Sequence, residues 1–139
     1  MVIKTENLIG RSAEVTTKIT SEVISRFAEL CGDENPIHLS DEAAALQGFK
    51  GRIAHGVLQA SFLSAIVGME LPGPGSVLQQ LELKWLKPCY VGDEIRISLV
   101  ITEAHESVQT VICKALITNQ RGEVISRGRL QVGVGGLHG

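Results

Sequence analysis

Residues 54–69 constrain the fold more than any other stretch and would span about 24 Å if helical throughout. They contain the longest apolar run of the chain, from about residue 57 to 69, which is too short and too interrupted by Ser and Gln to span a membrane. A helix whose apolar residues cover every face lies in a core. Here they are Val57, Leu58, Ala60, Phe62, Leu63, Ala65, Ile66, Val67 and Met69. The sequence therefore predicts one long buried helix.

After Gly75 the spacing of the apolar residues changes from the helical period to alternation with polar residues. Four stretches alternate in this way: 80–85, 95–101, 111–117 and 124–132. Alternation is typical of strands with one buried face. We therefore predict an α+β fold in which an antiparallel meander of about five strands wraps around the long helix. The 139 residues are expected to form a single domain, 1–139, with a loose glycine-rich tail from about residue 133.

Ahead of the long helix, apolar residues at helical spacing predict a shorter helix that ends at Cys31. Gly32 can adopt the left-handed conformation that ends such a helix. Asn35-Pro36 prevents the helix from continuing, because proline fixes φ and pushes the preceding residue toward extended geometry. Asp33 and His38 therefore share one loop, five residues apart, and the turn between them lets their side chains converge.

A carboxylate and an imidazole on one loop can hold and deprotonate a water molecule. The apolar neighbours Leu30, Ile37 and Leu39 indicate that the loop lies against the core, where a general base can operate. The alternative is that Asp33 is a solvated turn residue and His38 a surface histidine. The residues of the loop alone leave both interpretations open.

Gly56, which follows His55 at the start of the long helix, marks a second candidate site. The first turn of a helix leaves backbone N–H groups free, and glycine has no side chain to block an approaching oxygen. Such a terminus can stabilise an oxyanion, although a glycine there also permits tight helix packing. We expect His55 to form structural hydrogen bonds. Ser61 is expected to bond to the carbonyl four residues earlier in its own helix, and no GxSxG sequence predicts a serine nucleophile.

Charge and cysteine content exclude several classes of function. The net charge is −2, and no cluster of Lys and Arg indicates binding to nucleic acid. Cys31, Cys89 and Cys113 lack CxxC or Cys/His ligand spacing, so we predict neither a disulfide framework nor a metal site. They are expected to be free thiols in a reducing compartment. The first fourteen residues contain no apolar signal segment. We therefore predict a soluble cytoplasmic protein that binds neither nucleic acid nor a membrane.

Two strings of residues carry a resemblance to a known family. One is Gly32-Asp33-x-Asn35-Pro36-Ile37-His38, and the other is Gly51-Arg52-Ile53-Ala54-His55-Gly56-Val57-Leu58. They closely resemble the MaoC-like hydratases of the hot-dog fold, which are (R)-specific enoyl-CoA hydratases. The similarity extends to residues 71–76 and 87–93 and so covers roughly residues 15–132.

The resemblance implies reversible addition of water to trans-2-enoyl-CoA, giving (3R)-hydroxyacyl-CoA. The reverse reaction is a dehydration, as in a 3-hydroxybutyryl-CoA dehydratase. Asp33 and His38 would be the catalytic residues that activate the water. The substrate-binding residues would be Asn35, which orients the loop, Gly56, whose N–H receives the thioester oxygen, Ser61 and His55. No metal or redox cofactor is implied, because CoA is part of the substrate.

Three other functions remain open on the sequence. The nearest is a dehydratase that acts on (3R)-hydroxyacyl groups carried by acyl carrier protein. The second is a hot-dog acyl-CoA thioesterase, which hydrolyses the thioester on the same scaffold. The third is a non-catalytic subunit that binds acyl-CoA. In every case an exposed sheet edge invites pairing with a second copy, so we predict a homodimer or a dimer of dimers.

Overall fold

The structure is a computed structural model that describes residues 2–135. Within that range the chain forms four α-helices and one five-stranded sheet. The helices are α1 (Ser21–Cys31), α2 (Pro36–Leu39), α3 (Asp41–Leu46) and α4 (Gly56–Met69). The strands are β1 (Ser12–Lys18), β2 (Val77–Trp85), β3 (Glu94–His105), β4 (Thr110–Thr118) and β5 (Val124–Gly133). Among these helices none is long and apolar enough to cross a membrane.

The strands are ordered β1-β3-β4-β5-β2, and all neighbours are antiparallel. The predicted antiparallel sheet around one long helix is therefore confirmed. A continuous meander is not, because only β3, β4 and β5 follow one another in the sheet. β2 crosses over to pair with β5, and the fifth strand is β1, which pairs with β3.

Alternation correctly identified the buried face of the central strands. On β3, the residues Ile95, Ile97, Leu99 and Ile101 are at most 1% exposed, and they belong to one core with β4, β5 and α4. β2 behaves differently, because no residue along it is fully buried and Trp85 is 47% exposed. The difference arises because β2 lies at an edge of the sheet.

The long helix α4 is buried on one side only. It begins at Gly56, two residues after the predicted start, and packs on the sheet through Leu58, Leu63 and Ile66. Val57 is 61% exposed and Met69 73% exposed. The expectation of a helix buried on all sides is therefore wrong for the single chain. We call the exposed residues Val57, Ser61, Ser64, Ala65 and Met69 the open side of α4.

The predicted tail begins later than expected. Gly133 is the last residue of β5 and pairs with Thr110, and Val134 is only 3% exposed. The Val134 N–H also donates to the Gln109 carbonyl at 2.9 Å. Residues 136–139, on which the rest of that prediction falls, lie outside the described range.

Candidate active site

The loop that carries the candidate residues starts where α1 ends. Thr20 caps the helix by accepting a hydrogen bond from the Val23 N–H. At the other end Gly32 has a φ of 81°, in the left-handed region, and its N–H donates to the Ala28 carbonyl at 2.8 Å. Both features match the sequence prediction, and they place Asp33 directly beyond the helix end.

Pro36 begins a helix instead of only ending one. Residues Pro36–Leu39 form the single turn α2, so the prediction of a loop is wrong for His38. Proline suits the first position of a helix, where no N–H partner is needed. Asn35 caps the turn by accepting from the Ile37 N–H, and its own N–H donates to Asp33 Oδ1 at 3.2 Å. These bonds fold the Asp33 carboxylate back toward His38.

Two hydrogen-bond acceptors face one gap between Asp33 and His38. Asp33 Oδ2 lies 3.9 Å from His38 Nε2, which is too long for a direct hydrogen bond but suits a bridging water. His38 Nδ1 lies 2.7 Å from the Ile53 carbonyl oxygen. Because a carbonyl only accepts, Nδ1 carries the hydrogen, and the neutral ring presents a lone pair at Nε2. The carboxylate and this nitrogen can therefore hold the two hydrogens of one water.

The two residues differ in burial. His38 is 6% exposed, whereas the side chain of Asp33 is 53% exposed. Leu30 is 83% exposed and Leu39 41% exposed, so the prediction that apolar neighbours hold the whole loop against the core is wrong. The site therefore combines a buried imidazole with a carboxylate that solvent reaches.

His55 fixes the positions of both residues. It is 2% exposed, and its Nε2 donates to the Asp33 backbone carbonyl at 2.8 Å. Its ring stacks on that of His38 with centroids 3.8 Å apart, and the edge of Phe27 packs against it at 5.0 Å. His55 thus has the structural hydrogen-bonding role that the sequence predicts.

The side chains of Asp33, His38 and His55 offer donor atoms within 4.8 Å of one another, a spacing that a metal ion could span. A metal binds imidazole in the plane of the ring. Two rings stacked with an interplanar angle of 25° cannot both direct in-plane lone pairs at one ion. The arrangement therefore fits a bridging water better than a bound cation.

At the start of α4, Gly56 is closely covered by an aromatic ring. The Trp85 indole N–H donates to the Gly56 carbonyl at 2.9 Å. A Cβ at position 56 would lie 2.7 Å from Trp85 Nε1, closer than a Cβ atom comes to a neighbouring heavy atom in real proteins. His55 makes no side-chain cap, so the first N–H groups of the helix point outward without one.

His38 and Gly56 line the same cavity, whose volume is about 440 Å³. The other lining residues are mostly apolar: Ile37, Phe49, Ile53, Ala54, Gln59, Trp85, Leu86, Lys87, Pro88 and Cys89. His38 therefore joins the two candidate sites, because it faces Asp33 on one side and shares the cavity with Gly56 on the other. The wall of one cavity therefore contains both the His38 imidazole and the start of α4.

The structure does not bring Ser61 into this group. Its hydroxyl donates at 2.6 Å to the Leu58 carbonyl, which lies three residues earlier in the helix and not four as predicted. The residue lies on the open side of α4 and does not line the cavity. Asn35 caps α2 with its side-chain oxygen, and its backbone N–H donates to Asp33.

Arg52 forms hydrogen bonds around the site, although the sequence predicted no role for it. Its Nε donates to the His38 carbonyl at 2.8 Å, and its Nη1 donates to Ser21 Oγ at 2.8 Å. Its own N–H donates to Asp41 Oδ1 at 2.9 Å. Arg52 therefore ties α2 to α1 and α3. Its place in the second string of the resemblance was the signal that could have found it.

Cys89 lines the cavity but cannot serve as a nucleophile. Burial raises the pKa of its thiol to about 12, and the negative charge of Asp93 adds to the shift. Burial likewise raises the pKa of Cys113 to about 11. Both thiols stay protonated at neutral pH, and in the described chain all three cysteines are free.

Two sequence relatives match this chain over most of its length. It is 35% identical over 123 residues to an (R)-specific enoyl-CoA hydratase of Rhodospirillum rubrum, covering 88% of this chain and 85% of that protein. It is 39% identical over 95 residues to a 3-hydroxybutyryl-CoA dehydratase of Methylorubrum extorquens, covering 68% of this chain and 60% of that protein.

Among solved structures, an (R)-hydratase from A. caviae involved in PHA biosynthesis matches with a TM-score of 0.87 and 31% identity. The match covers 91% of this chain and 96% of that chain. The fold is thus the hot-dog fold that the resemblance implied. The model of the MaoC like domain matches residues 4–121. From this match and these relatives, the chain belongs to the family of MaoC-like domains.

Proposed function

We propose that this protein catalyses the reversible hydration of a trans-2-enoyl-CoA to the (3R)-hydroxyacyl-CoA. The observation that carries the proposal is the convergence of three groups. Asp33 Oδ2 lies 3.9 Å from His38 Nε2, and His38 shares a cavity with the N–H end of α4 at Gly56. The names of the relatives, a hydratase and a dehydratase, describe the two directions of this one reaction.

Hydration places a hydroxyl on C3 and a hydrogen on C2 of the acyl group. Asp33 accepts one proton of the water, while His38 Nε2 accepts a hydrogen bond from the other hydrogen. The water oxygen bonds to C3, and the electrons of the double bond move toward the thioester oxygen. The proton returns to C2 through the pair of Asp33 and His38, so both residues finish as they began.

The charge that develops on the thioester oxygen needs a fixed hydrogen-bond donor. The Gly56 N–H at the start of α4 supplies one, in the wall of the cavity that His38 also lines. Removal of one such donor typically lowers the rate by about 10²–10³. Asn35 and His55 position the other groups. The reaction moves only protons and water, so we assign no metal or redox cofactor, and CoA enters as part of the substrate.

We further propose a homodimer. The open side of α4 and the edge strand β2 expose apolar residues, including Val57 and Trp85, that a second copy would cover. The predicted contact of Ser61 with substrate remains a prediction that depends on this second copy, since Ser61 lies on the open side. The free thiols of the described residues support a cytoplasmic location.

The test of the function is analysis of the product formed from crotonyl-CoA in D₂O. We expect 3-hydroxybutyryl-CoA with the (3R) configuration at C3 and one deuterium at C2. Release of free CoA with the double bond intact would instead indicate a thioesterase, and binding without turnover would indicate a non-catalytic subunit. Faster turnover of the same acyl chain on acyl carrier protein than on CoA would assign the protein to the carrier-protein dehydratases.

A further inference from the structure

The cavity contains one buried amide side chain, Gln59, that the proposed mechanism does not use. Gln59 is 2% exposed and projects from the side of α4 that packs on the sheet. Opposite it on β5 lies Ser126, which is fully buried, and its hydroxyl donates to Gln59 Oε1 at 2.5 Å. A buried amide costs free energy unless its groups are hydrogen-bonded. Ser126 and Gln59 meet this condition for the amide oxygen as one hydrogen-bonded pair, and Gln59 of this pair also lines the cavity.

The bond to Ser126 decides which end of the amide is available. With Oε1 held by the hydroxyl, the two N–H groups of Nε2 remain for another partner. Over residues 2–135, Ser126 is the one side chain that hydrogen-bonds to Gln59. Gln59 lines the cavity together with His38 and Gly56, so a ligand in the cavity can accept from Nε2.

Helix geometry directs the amide toward the oxyanion site. Gln59 follows Gly56 by three residues, so both lie on one face of α4. Side chains on a helix lean toward its N-terminus and cover the preceding turn. The Gln59 amide therefore extends toward the turn whose first N–H belongs to Gly56.

We propose that Gln59 is a catalytic residue whose Nε2 donates a second hydrogen bond to the thioester oxygen, beside the Gly56 N–H. The inference rests on the proposed function and adds a residue to it. Negative charge grows on this oxygen as water adds to C3, so a fixed donor stabilises the transition state more than the bound substrate. Ser126 is the positioning residue that holds the amide in place.

The test compares Gln59→Leu with wild-type protein. Leucine has a similar size and suits a buried site, so the fold should survive. We expect kcat for crotonyl-CoA to fall at least about tenfold while KM changes little, because the lost interaction is made in the transition state. We also expect the carbonyl stretching frequency of bound butyryl-CoA, which cannot be hydrated, to move back toward its value in water. Ser126→Ala should shift both readouts in the same direction by less.

Gln131→Leu is the matched control, because it removes the same chemical group from an exposed pair with Gln79 outside the cavity. Both readouts should stay at wild-type values in this variant. An unchanged kcat and carbonyl frequency in Gln59→Leu would overturn the proposal. The proposal would also be overturned if Gln59→Leu gained activity only on long acyl chains, because Gln59 would then limit the length of the acyl chain. If wild-type protein binds butyryl-CoA but hydrates nothing, the proposed function fails, while the carbonyl frequency still decides whether Gln59 donates.

If Gln59→Leu does not fold, Ser126→Ala carries the decision. A kcat and a carbonyl frequency that both match wild type in Ser126→Ala would then overturn the proposal.

Discussion

Gly56 shows how a single residue can be required for a reason that its sequence context does not reveal. The sequence suggested that the absence of a side chain keeps the helix start open to an oxygen. The structure adds that a Cβ at residue 56 would lie only 2.7 Å from Nε1 of the Trp85 indole, too close for both atoms to keep their places. The same indole donates to the Gly56 carbonyl. Glycine at 56 therefore serves both the exposed N–H and the contact between α4 and β2.

Gly56→Ala should destabilise the protein and impair hydration together. The added methyl would displace the Trp85 ring, and overpacking of this kind typically costs about 1–3 kcal/mol. Thermal unfolding and the rate of crotonyl-CoA hydration measure the two effects. Gly68→Ala is the control on the same helix, because a Cβ at 68 meets nothing within 4 Å. It should gain about 0.5–1 kcal/mol from helix propensity. Equal stability of the two variants would contradict the predicted clash.

The sequence could predict those site residues that lie close to one another in the chain or at the start of a recognisable helix. Asp33 and His38 are five residues apart, and Gly56 is marked by the start of an apolar helix. The contacts of Arg52 with His38 and of Trp85 with Gly56 join residues 14 and 29 positions apart. Gln59 and Ser126 are 67 positions apart. No periodicity or turn chemistry reports such distances, so these residues were found only in the folded chain.

At the scale of elements, the turn between β4 and β5 is held by a charged network around Glu123. Its carboxylate accepts from Lys87 Nζ at 2.5 Å, from Arg121 Nε at 2.8 Å and from Asn119 Nδ2 at 3.0 Å. These bonds, that of Lys87 foremost, lower the pKa of Glu123 from 4.5 to about 2. Lys87 follows β2, so the network also ties the turn to the segment that lines the cavity.

Glu123→Gln should lower the melting temperature at pH 7. A carboxyl whose pKa is lower in the folded state stabilises the fold above its unfolded pKa, and this stabilisation is lost as the pH falls through the folded pKa. The deficit of the variant should therefore shrink between pH 4.5 and about pH 2. Melting curves across that range check it, with Glu29→Gln, an exposed carboxylate on α1, as control. A deficit independent of pH would exclude the charge as its cause.

Alternation predicted four of the five strands, three of them at the centre of the sheet and one, β2, at its edge. Residues 95–101 of β3 bury every second side chain almost completely, so polarity along this stretch mirrors burial. β1 is an edge strand in which Val15 is 37% exposed and only Ala13 and Thr17 are half-buried, so its pattern is too weak to locate it. The crossover of β2 is decided by which edge of the sheet is free, which local patterns do not report.

For the whole molecule, the open side of α4 and the β2 edge expose apolar residues that the proposed homodimer would cover. The protein should sediment at twice its chain mass of 14.9 kDa at micromolar concentration. Ala65→Lys, which places a charge on the open side, should shift it toward monomer. Leu46→Lys alters an exposed apolar residue on α3 and should leave the mass unchanged. A wild-type protein that sediments as a stable monomer would contradict the dimer.

The most direct measurement of the central claim is the rate at which the conjugated-enoyl absorbance of crotonyl-CoA disappears with wild type, Asp33→Asn and His38→Ala. Positioned acid–base groups typically contribute about 10²–10⁴ in rate. We expect each variant to lose at least about a hundredfold while its melting temperature shows that it is folded. If either folded variant keeps most of the wild-type rate, these two residues do not activate the water, and the assignment of the active site is wrong.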